Sequence, residues 1–170
     1  MTELATHTTA TGDDTVAGVH PALVAFVNRE ARLADEARYS EWESLWADDG
    51  VYWVPMHPDD DPARTIGYVY DNRARIKSRI AQLNTGVRHS QTPPSTMRRL
   101  ISNFEDGGRD GADHVVESNF VLYEYRYHLT TWAGRYIHRI RETDDGLRLA
   151  GKTVHLVNAG GPLPTMSFLI

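Results

Sequence analysis

The strongest pattern in the chain is an alternation of apolar and polar positions in its second half. Over residues 114–129, one face carries apolar side chains at odd positions, namely Val115, Val121, Tyr123, Tyr125, Tyr127 and Leu129. Residues 131–142 and 147–157 alternate in the same way. This period is typical of strands, and Asp145-Gly146 indicates a tight hairpin turn between the last two segments. The strands exceed the usual five or six residues, so they predict a strongly curved sheet that wraps a helix or a cavity.

The first half of the chain shows helical spacing instead. A helix is expected to begin at Pro21, where the missing N–H is not needed. Its apolar face is Leu23, Phe26, Val27, Ala31 and Ala34. Asp35 is placed to cap a second helix, which residues 48–50 would end. That helix carries an aromatic stripe of Tyr39, Trp42, Leu45 and Trp46. Each predicted helix therefore has one face that can pack against the sheet.

Shorter elements complete the predicted order. Residues 51–56 form a strand, and residues 66–83 form an amphipathic helix broken at residues 84–86. Residues 98–105 form a further strand, followed by a turn at residues 106–111. Helices that come first and strands that come last predict an α+β fold, in which N-terminal helices pack on a long curved antiparallel sheet in a cone-like arrangement. We expect one domain over residues 20–170, preceded by a flexible arm at residues 1–19.

Composition excludes several classes of function. The chain has 170 residues, a formal net charge of −5 and no cysteine. The negative charge argues against a nucleic-acid partner, and the missing thiols exclude disulfides, thiolate catalysis and cysteine-ligated iron–sulfur clusters. No apolar run approaches the ~20 residues of a membrane span. Residues 1–19 lack the pattern of a secretory signal, so a cytoplasmic location is expected.

Two groups of residues raise the question of a metal site. His57 and the three aspartates at residues 59–61 lie in one polar loop, although consecutive acids between prolines are also typical of a solvated turn. His128, His138 and His155 lie on the long strands and would converge if the sheet curves around them. Neither group has the spacing of a recognised metal motif. We therefore predict that this chain holds no metal.

A second possibility is an enzyme that uses a few polar groups inside the cone. Four residues would supply an acid–base set able to move a proton beside a carbonyl group: Asp35, Tyr39, Tyr52 and His138. Each also has an ordinary structural role open to it, as a helix cap, a core tyrosine or a polar group on a strand. Nothing in the sequence shows that these groups meet, so both interpretations remain open.

Several short segments of the chain matter together because of their order and spacing. They are residues 33–36 (LADE) with Tyr39, Glu41, Trp42 and Leu45, residues 52–55 (YWVP), 94–103 (PSTMRRLISN), 117–120 (ESNF), 151–156 (GKTVHL) and 166–169 (MSFL). No single segment is specific. Their order and spacing together, over residues 21–170, resemble the small (β) subunit of aromatic-ring-hydroxylating dioxygenases.

The resemblance implies a cone-shaped fold related to nuclear transport factor 2 and ketosteroid isomerase. It implies a non-catalytic subunit in an NADH-dependent α3β3 oxygenase, where a β3 trimer forms the base under three large α subunits. The Rieske [2Fe–2S] cluster and the mononuclear Fe(II) would lie in the α subunit, with no cofactor in this chain. The lack of cysteine agrees, because a Rieske centre needs two Cys and two His. The expected partner-facing residues are Arg75, Arg79, Arg98, Arg99 and Phe168.

Two alternatives to this subunit remain. One is a free-standing dehydratase or isomerase with the same fold and the acid–base set above, and the other is a small-ligand-binding module. A neighbouring gene that encodes Cys-x-His and Cys-x-x-His pairs would favour the oxygenase subunit. Activity of the purified chain alone would favour the enzyme. The aromatic substrate is not readable here, because its pocket would lie in the α subunit.

Overall fold

Three helices and six strands form within residues 18–86 and 93–170, the part of the chain that the computed structural model describes. The helices are α1 (Pro21–Asp35), α2 (Tyr39–Glu43) and α3 (Arg73–Asn84). The strands are β1 (Trp46–Val54), β2 (Val69–Asn72), β3 (Thr96–Asp110), β4 (Asp113–Tyr125), β5 (Leu129–Thr143) and β6 (Gly146–Leu156). The predicted arm, except for its last two residues, lies outside this description. None of the described helices is long and apolar enough to cross a membrane.

The six strands form one curved sheet in the order β2-β1-β6-β5-β4-β3. The predicted long strands are confirmed, since β4, β5 and β6 have 13, 15 and 11 residues. Neighbours pair antiparallel except β1 and β6, which pair parallel. The predicted long curved antiparallel sheet is confirmed for β3 to β6, and the parallel β1–β6 pair is an addition that the sequence did not predict. Hairpins make sequential strands antiparallel, whereas β1 and β6 meet across most of the chain, and no local signal reports their relative direction.

The sheet buries one face against the helices and exposes the other. On β4, Val116, Phe120 and Leu122 point inward and are at most 2% exposed, whereas Tyr123 and Tyr125 on the opposite face are 40% and 55% exposed. Both faces of this strand are apolar in sequence, so alternation alone did not distinguish inside from outside. The predicted apolar face of α1 is confirmed, and all five of its residues are buried: Leu23, Phe26, Val27, Ala31 and Ala34.

The second helix is shorter than predicted. α2 ends at Glu43, and Trp46 already lies in β1, where it pairs with Leu149 of β6. Residues 48–50 belong to a strand with a register shift and do not end a helix. The aromatic residues do recur at helical spacing. Pairing with β6 and burial of Trp46 in the core nevertheless outweigh that local preference.

The helix predicted over residues 66–83 begins with a strand. β2 shows alternating burial and pairs with β1, and the chain becomes helical only at Arg73. Asn72 ends the strand and caps α3, because its side-chain oxygen accepts a hydrogen bond from the Arg75 backbone N–H at 3.0 Å. The end of this helix at Asn84 agrees with the prediction.

The strand predicted over residues 98–105 is longer than expected. β3 reaches Asp110, and only residues 111–112 turn back into β4. The register shifts between Ser102 and Glu105 and again between Asp106 and Arg109. The glycine-containing stretch predicted as a turn is therefore bulged strand, and such bulges bend and twist the sheet.

Candidate functional site

Three ionisable side chains meet in the interior of the cone. Glu30 of α1, His138 of β5 and Lys152 of β6 are each 0% exposed, and we call them the Glu30 cluster. Lys152 Nζ donates a hydrogen bond to Glu30 Oε1 at 2.9 Å, and Trp42 Nε1 donates to the same oxygen at 2.5 Å. His138 Nε2 lies 3.7 Å from Glu30 Oε2, too far for a hydrogen bond. Within the described chain, Glu30 Oε2 and both His138 ring nitrogens have no hydrogen-bond partner.

The charges of the Glu30 cluster balance one another. Burial would raise the pKa of Glu30, but the ammonium of Lys152, together with His138, outweighs burial and holds that pKa well below its usual range. Burial lowers the pKa of Lys152 to about 8. Burial also lowers the pKa of His138. At neutral pH the cluster is thus a carboxylate–ammonium pair beside a neutral imidazole.

A second buried ion pair lies along the same interior. Arg99 of β3 donates from its backbone N and its Nε to the two carboxylate oxygens of Asp35, both at 2.8 Å, and its side chain is 1% exposed. Its Nη1 donates to the Tyr136 hydroxyl at 3.2 Å and its Nη2 donates to the Leu169 carbonyl at 2.8 Å. Asp35 therefore ties α1 to the sheet. The prediction that Asp35 caps α2 is wrong, because that position belongs to Arg38.

The C-terminal tail fills the rest of the interior. Phe168, Leu169 and Ile170 are 3%, 0% and 1% exposed. The Tyr52 hydroxyl donates to the Ile170 carbonyl at 2.9 Å and accepts from the Ile170 N–H at 3.1 Å. The Phe168 ring packs edge-on against Trp132, with centroids 5.5 Å apart. The apolar tail, for which the sequence predicted a seat in this chain or in a neighbour, thus docks in its own chain.

Three of the four predicted acid–base residues reach this interior. Asp35, Tyr52 and His138 belong to the networks above, whereas Tyr39 packs at the edge of the core. Burial raises the pKa of Tyr52 well above its ordinary value and lowers that of His138, and Asp35 is held by Arg99. A general acid or base works best with a pKa near the working pH and with a path to the reactant. The paired groups and the tail favour a structural role for these residues.

Sequence reasoning missed the residues that join the interior network: Glu30, Tyr136 and Lys152. A signal was present for Glu30, which lies one helical turn after Phe26 on the apolar face of α1. Lys152 likewise shares the buried side of β6 with Val154. A charged residue at a core position predicts a buried partner of opposite charge.

The candidate metal ligands do not form a site. No group of three or more His, Cys, Asp or Glu side chains could hold a metal ion in residues 18–86 and 93–170. His138 is enclosed in the interior, and His128 is exposed. In the acidic loop, a carboxylate oxygen of Asp60 accepts from the backbone N–H groups of Met56 and His57 at 3.0 and 2.8 Å, as in an ordinary turn. The donor set of the described chain therefore fits neither a Rieske cluster nor a mononuclear iron.

The residues expected to face a partner divide between surface and interior. Arg75 and Arg98 are exposed, and Arg79 is half-buried in an ion pair. Arg99 and Phe168 are buried, which corrects the expectation that their side chains face a partner. Consecutive residues of a strand point to opposite faces, so the side chains of the neighbours Arg98 and Arg99 lie on opposite sides of the sheet.

An apolar patch lies on the outer side of the sheet, opposite the Glu30 cluster. Leu100, Tyr123, Tyr125 and Leu129 are 61%, 40%, 55% and 63% exposed. The strand register pairs Arg98 with Tyr123 and Tyr125 with Leu129, which puts all five side chains on one face. We call these five residues the outer apolar face. Contiguous exposed apolar groups with a polar border are typical of interaction sites.

The fold places the chain in the class of cone-shaped α+β proteins. ActVI-ORFA from Streptomyces coelicolor has this fold, with a TM-score of 0.57 at 12% identity over 79% of this chain and 94% of that one. An identity this low shows a common fold alone. The family is set by a closer match, because residues 29–160 fit the family model described as "Ring hydroxylating beta subunit". The chain belongs to the ring-hydroxylating β-subunit family, which confirms the resemblance seen in the sequence.

Individual relatives agree with the family match. The 2-halobenzoate 1,2-dioxygenase small subunit of Burkholderia cepacia is 28% identical over 143 residues, covering 80% of this chain and 87% of the relative. Among solved structures, the β subunit of benzoate 1,2-dioxygenase from Burkholderia mallei has a TM-score of 0.71 at 26% identity, covering 86% of this chain and 95% of that one.

Proposed function

We propose that this chain is the structural, non-catalytic β subunit of the terminal oxygenase component of a multicomponent aromatic-ring-hydroxylating dioxygenase. Its role is to support the α subunits that carry the iron centres. The observation that carries this proposal is the enclosed interior, where most ionisable groups are paired with one another or with the tail, while the outer apolar face stays exposed. The family match supports this role over that of a free-standing dehydratase or isomerase.

In the proposed assembly, three copies of this chain form the base of an α3β3 complex in the cytoplasm. The α subunit holds the Rieske [2Fe–2S] cluster and the mononuclear Fe(II), and NADH supplies the electrons. A Rieske centre requires two Cys and two His, and this chain contains no cysteine. In the proposed assembly this chain binds and orients the α subunit, and it takes no part in electron transfer.

Two surfaces are assigned to the partners. The first is the outer apolar face, whose exposed rings offer apolar area bordered by Arg98. The second is the basic side of α3, where Arg75 is exposed and Arg79 is half-buried. Interface cores are enriched in tyrosine and arginine, which matches both surfaces. Arg98 pairs with Tyr123 on the first of them, and we expect it to contribute most of the charge-dependent part of the contact.

Co-expression with the adjacent large-subunit gene tests the proposal. We expect native mass spectrometry of the purified complex to give the α3β3 mass, and we expect ring dioxygenation only from that complex supplied with its electron-transfer components. A chain that purifies as a monomer apart from the large subunit would contradict the proposal. Turnover of a small molecule by the isolated chain would contradict it as well.

The part played by Arg98 has its own test. Arg98→Glu reverses a charge on the outer apolar face, so we expect a smaller fraction of intact hexamer by light scattering. Arg64→Glu is the matched control, since Arg64 has a side chain 85% exposed in the acidic loop and belongs to neither assigned surface. If the Arg98→Glu variant still forms an intact hexamer, Arg98 does not contribute to the interface.

A further inference from the structure

The last three described residues occupy an interior whose walls come from distant parts of the chain. Phe168, Leu169 and Ile170 are buried, whereas residues 160–162 and 164–165 before them are exposed. No helix or strand forms after Leu156. The final residues are therefore the deepest anchor of the tail, while Leu163 and Met166 pack against the core only in part.

The interior contacts the backbone of the tail as well as its side chains. Arg99 Nη2 donates to the Leu169 carbonyl, and the Tyr52 hydroxyl both donates to the Ile170 carbonyl and accepts from its N–H. Trp132 forms one wall of the space that holds the Phe168 ring. Hydrogen bonds to the backbone of an extended segment, combined with apolar pockets for its side chains, are the means by which peptide-binding sites recognise their ligands.

The groups that recognise the tail are held in place by other contacts. Two hydrogen bonds to Asp35 fix Arg99. The Tyr52 ring packs against Trp42 and Trp46, with centroids 6.0 and 6.2 Å apart. None of these contacts involves the tail. The site is thus preorganised, and preorganisation lowers the free-energy cost of ordering a binding site.

We propose that the interior of the cone is a peptide-binding site whose resident ligand is residues 168–170. Once those residues are removed, the site takes up a short apolar peptide in trans. The ligand class is defined by the contacts: an aromatic side chain against Trp132, followed by two aliphatic residues whose backbone groups bond Arg99 and Tyr52. This site goes beyond the proposed subunit role and is tested on the isolated chain.

A chain ended after Ser167 and a synthetic peptide of residues 162–170 (PLPTMSFLI) test the site. We expect the shortened chain to melt at a lower temperature, and we expect the peptide to bind it saturably by calorimetry and to raise its melting temperature. A peptide with Leu169→Asp should not bind, because Leu169 is 0% exposed. A shortened chain that is folded by circular dichroism yet binds neither peptide would overturn the proposal. Equal binding of the two peptides would also overturn it.

If the shortened chain does not fold, hydrogen exchange of the full chain tests whether the site binds residues 168–170. We expect the Ile170 amide to exchange slowly in the parent chain and about tenfold faster in Tyr52→Phe, which removes its acceptor. Tyr68→Phe is the matched control, because it removes a hydroxyl that accepts from the Gly160 N–H outside the site. The proposal fails if the Ile170 amide of the parent chain exchanges as fast as the amide of the exposed residue Thr165.

Discussion

The two sides of the sheet differ in how deeply their charged groups are buried. The inner side encloses the Glu30 cluster and the Arg99–Asp35 pair, where charges are buried and largely paired. The outer side of β3, β4 and β5 exposes rings and leucines at one end and carries solvent-exposed ion pairs, such as Arg135 with Glu105, further along. In a catalytic cone we would expect accessible polar groups inside. Their enclosure here supports the proposal that other chains bind on the outside, while the interior holds the subunit in shape.

The comparison also separates two kinds of sensitivity to substitution. A change inside should alter the free energy of unfolding, because buried charges depend on their partners. A change outside should leave that free energy nearly constant and alter association. The predictions below use this separation, from the largest expected effect to the smallest.

The largest effect is expected from Arg99→Met. This change leaves the Asp35 carboxylate buried without its partner and removes the hydrogen bond to the tail. We expect a loss of about 3–5 kcal/mol in the free energy of unfolding, measured by urea denaturation. In the Arg99→Met, Asp35→Leu double variant most of that loss should be recovered, since no unpaired charge remains. A single variant as stable as the parent would contradict the pairing described here.

Glu30→Gln should lower the free energy of unfolding by a smaller amount, about 2 kcal/mol at pH 6. Lys152 loses its carboxylate but can release its proton, because burial already lowers its pKa to about 8, whereas an arginine cannot. In the variant the pKa of Lys152 falls further. Between that lower pKa and pH 8, Lys152 of the variant binds fewer protons in the native state than in the unfolded state, so it adds stability as the pH rises. In the parent, Lys152 stays largely protonated over this range and adds none.

The stability difference between Glu30→Gln and its parent should therefore be smaller at pH 9 than at pH 6. Urea denaturation at the two pH values measures it. A difference that is constant or grows with pH would show that Lys152 stays charged without Glu30. Lys77→Gln on the exposed side of α3 is the control, and its stability should match the parent at both pH values.

Lowering the pH should reduce the free energy of unfolding of the unsubstituted chain in two stages. Burial lowers the pKa of His138 below its ordinary 6.5, so the unfolded state binds more protons and stability falls as the pH drops below 6.5. Glu30 has a pKa well below its ordinary 4.5, so its contribution is present above pH 4.5 and is lost as the pH falls further. His138→Gln should reduce the first slope, and it should also weaken the second stage, because His138 helps Lys152 to hold the pKa of Glu30 down. His155 also has a pKa lowered by burial, and adding His155→Gln should flatten the first stage further. An unchanged slope between pH 6.5 and pH 5 would contradict the assignment to His138.

The smallest effect on stability is expected on the outer apolar face. Tyr123→Ser and Tyr125→Ser change side chains that are 40% and 55% exposed, so each should shift the free energy of unfolding by about 0.5 kcal/mol or less. Thermal denaturation of the isolated chain measures this. A large loss of stability would mean that these rings serve the fold of the protomer.

Sequence patterns predicted the elements whose signals are local. The two-residue period of β4 to β6, the Asp-Gly turn at Gly146 and the apolar face of α1 each follow from neighbouring residues, and the structure has all of them. Where a segment is compatible with both the helical and the strand period, its secondary structure depends on partners that are distant in sequence. Trp46 pairs with β6 despite its helical spacing, and Val69 begins a strand because β1 is its neighbour.

The interior site was less predictable than the fold. Asp35, Tyr52 and His138 were singled out for proton transfer, but their partners lie far away in sequence: Arg99 for Asp35, and Ile170 for Tyr52. No local pattern reports such pairs. The outer apolar face was missed for a related reason, since both faces of β4 carry apolar residues and burial is decided by which face the helices cover.

The most direct test of the account is the mass of the complex that the chain forms with its large subunit when either side of the sheet is changed. The account predicts that the Tyr123→Ser, Tyr125→Ser variant is folded but absent from the complex. It also predicts that His138→Gln enters a complete and active α3β3 complex. Full assembly of the outer variant would contradict it, as would loss of activity from a fully assembled His138→Gln complex.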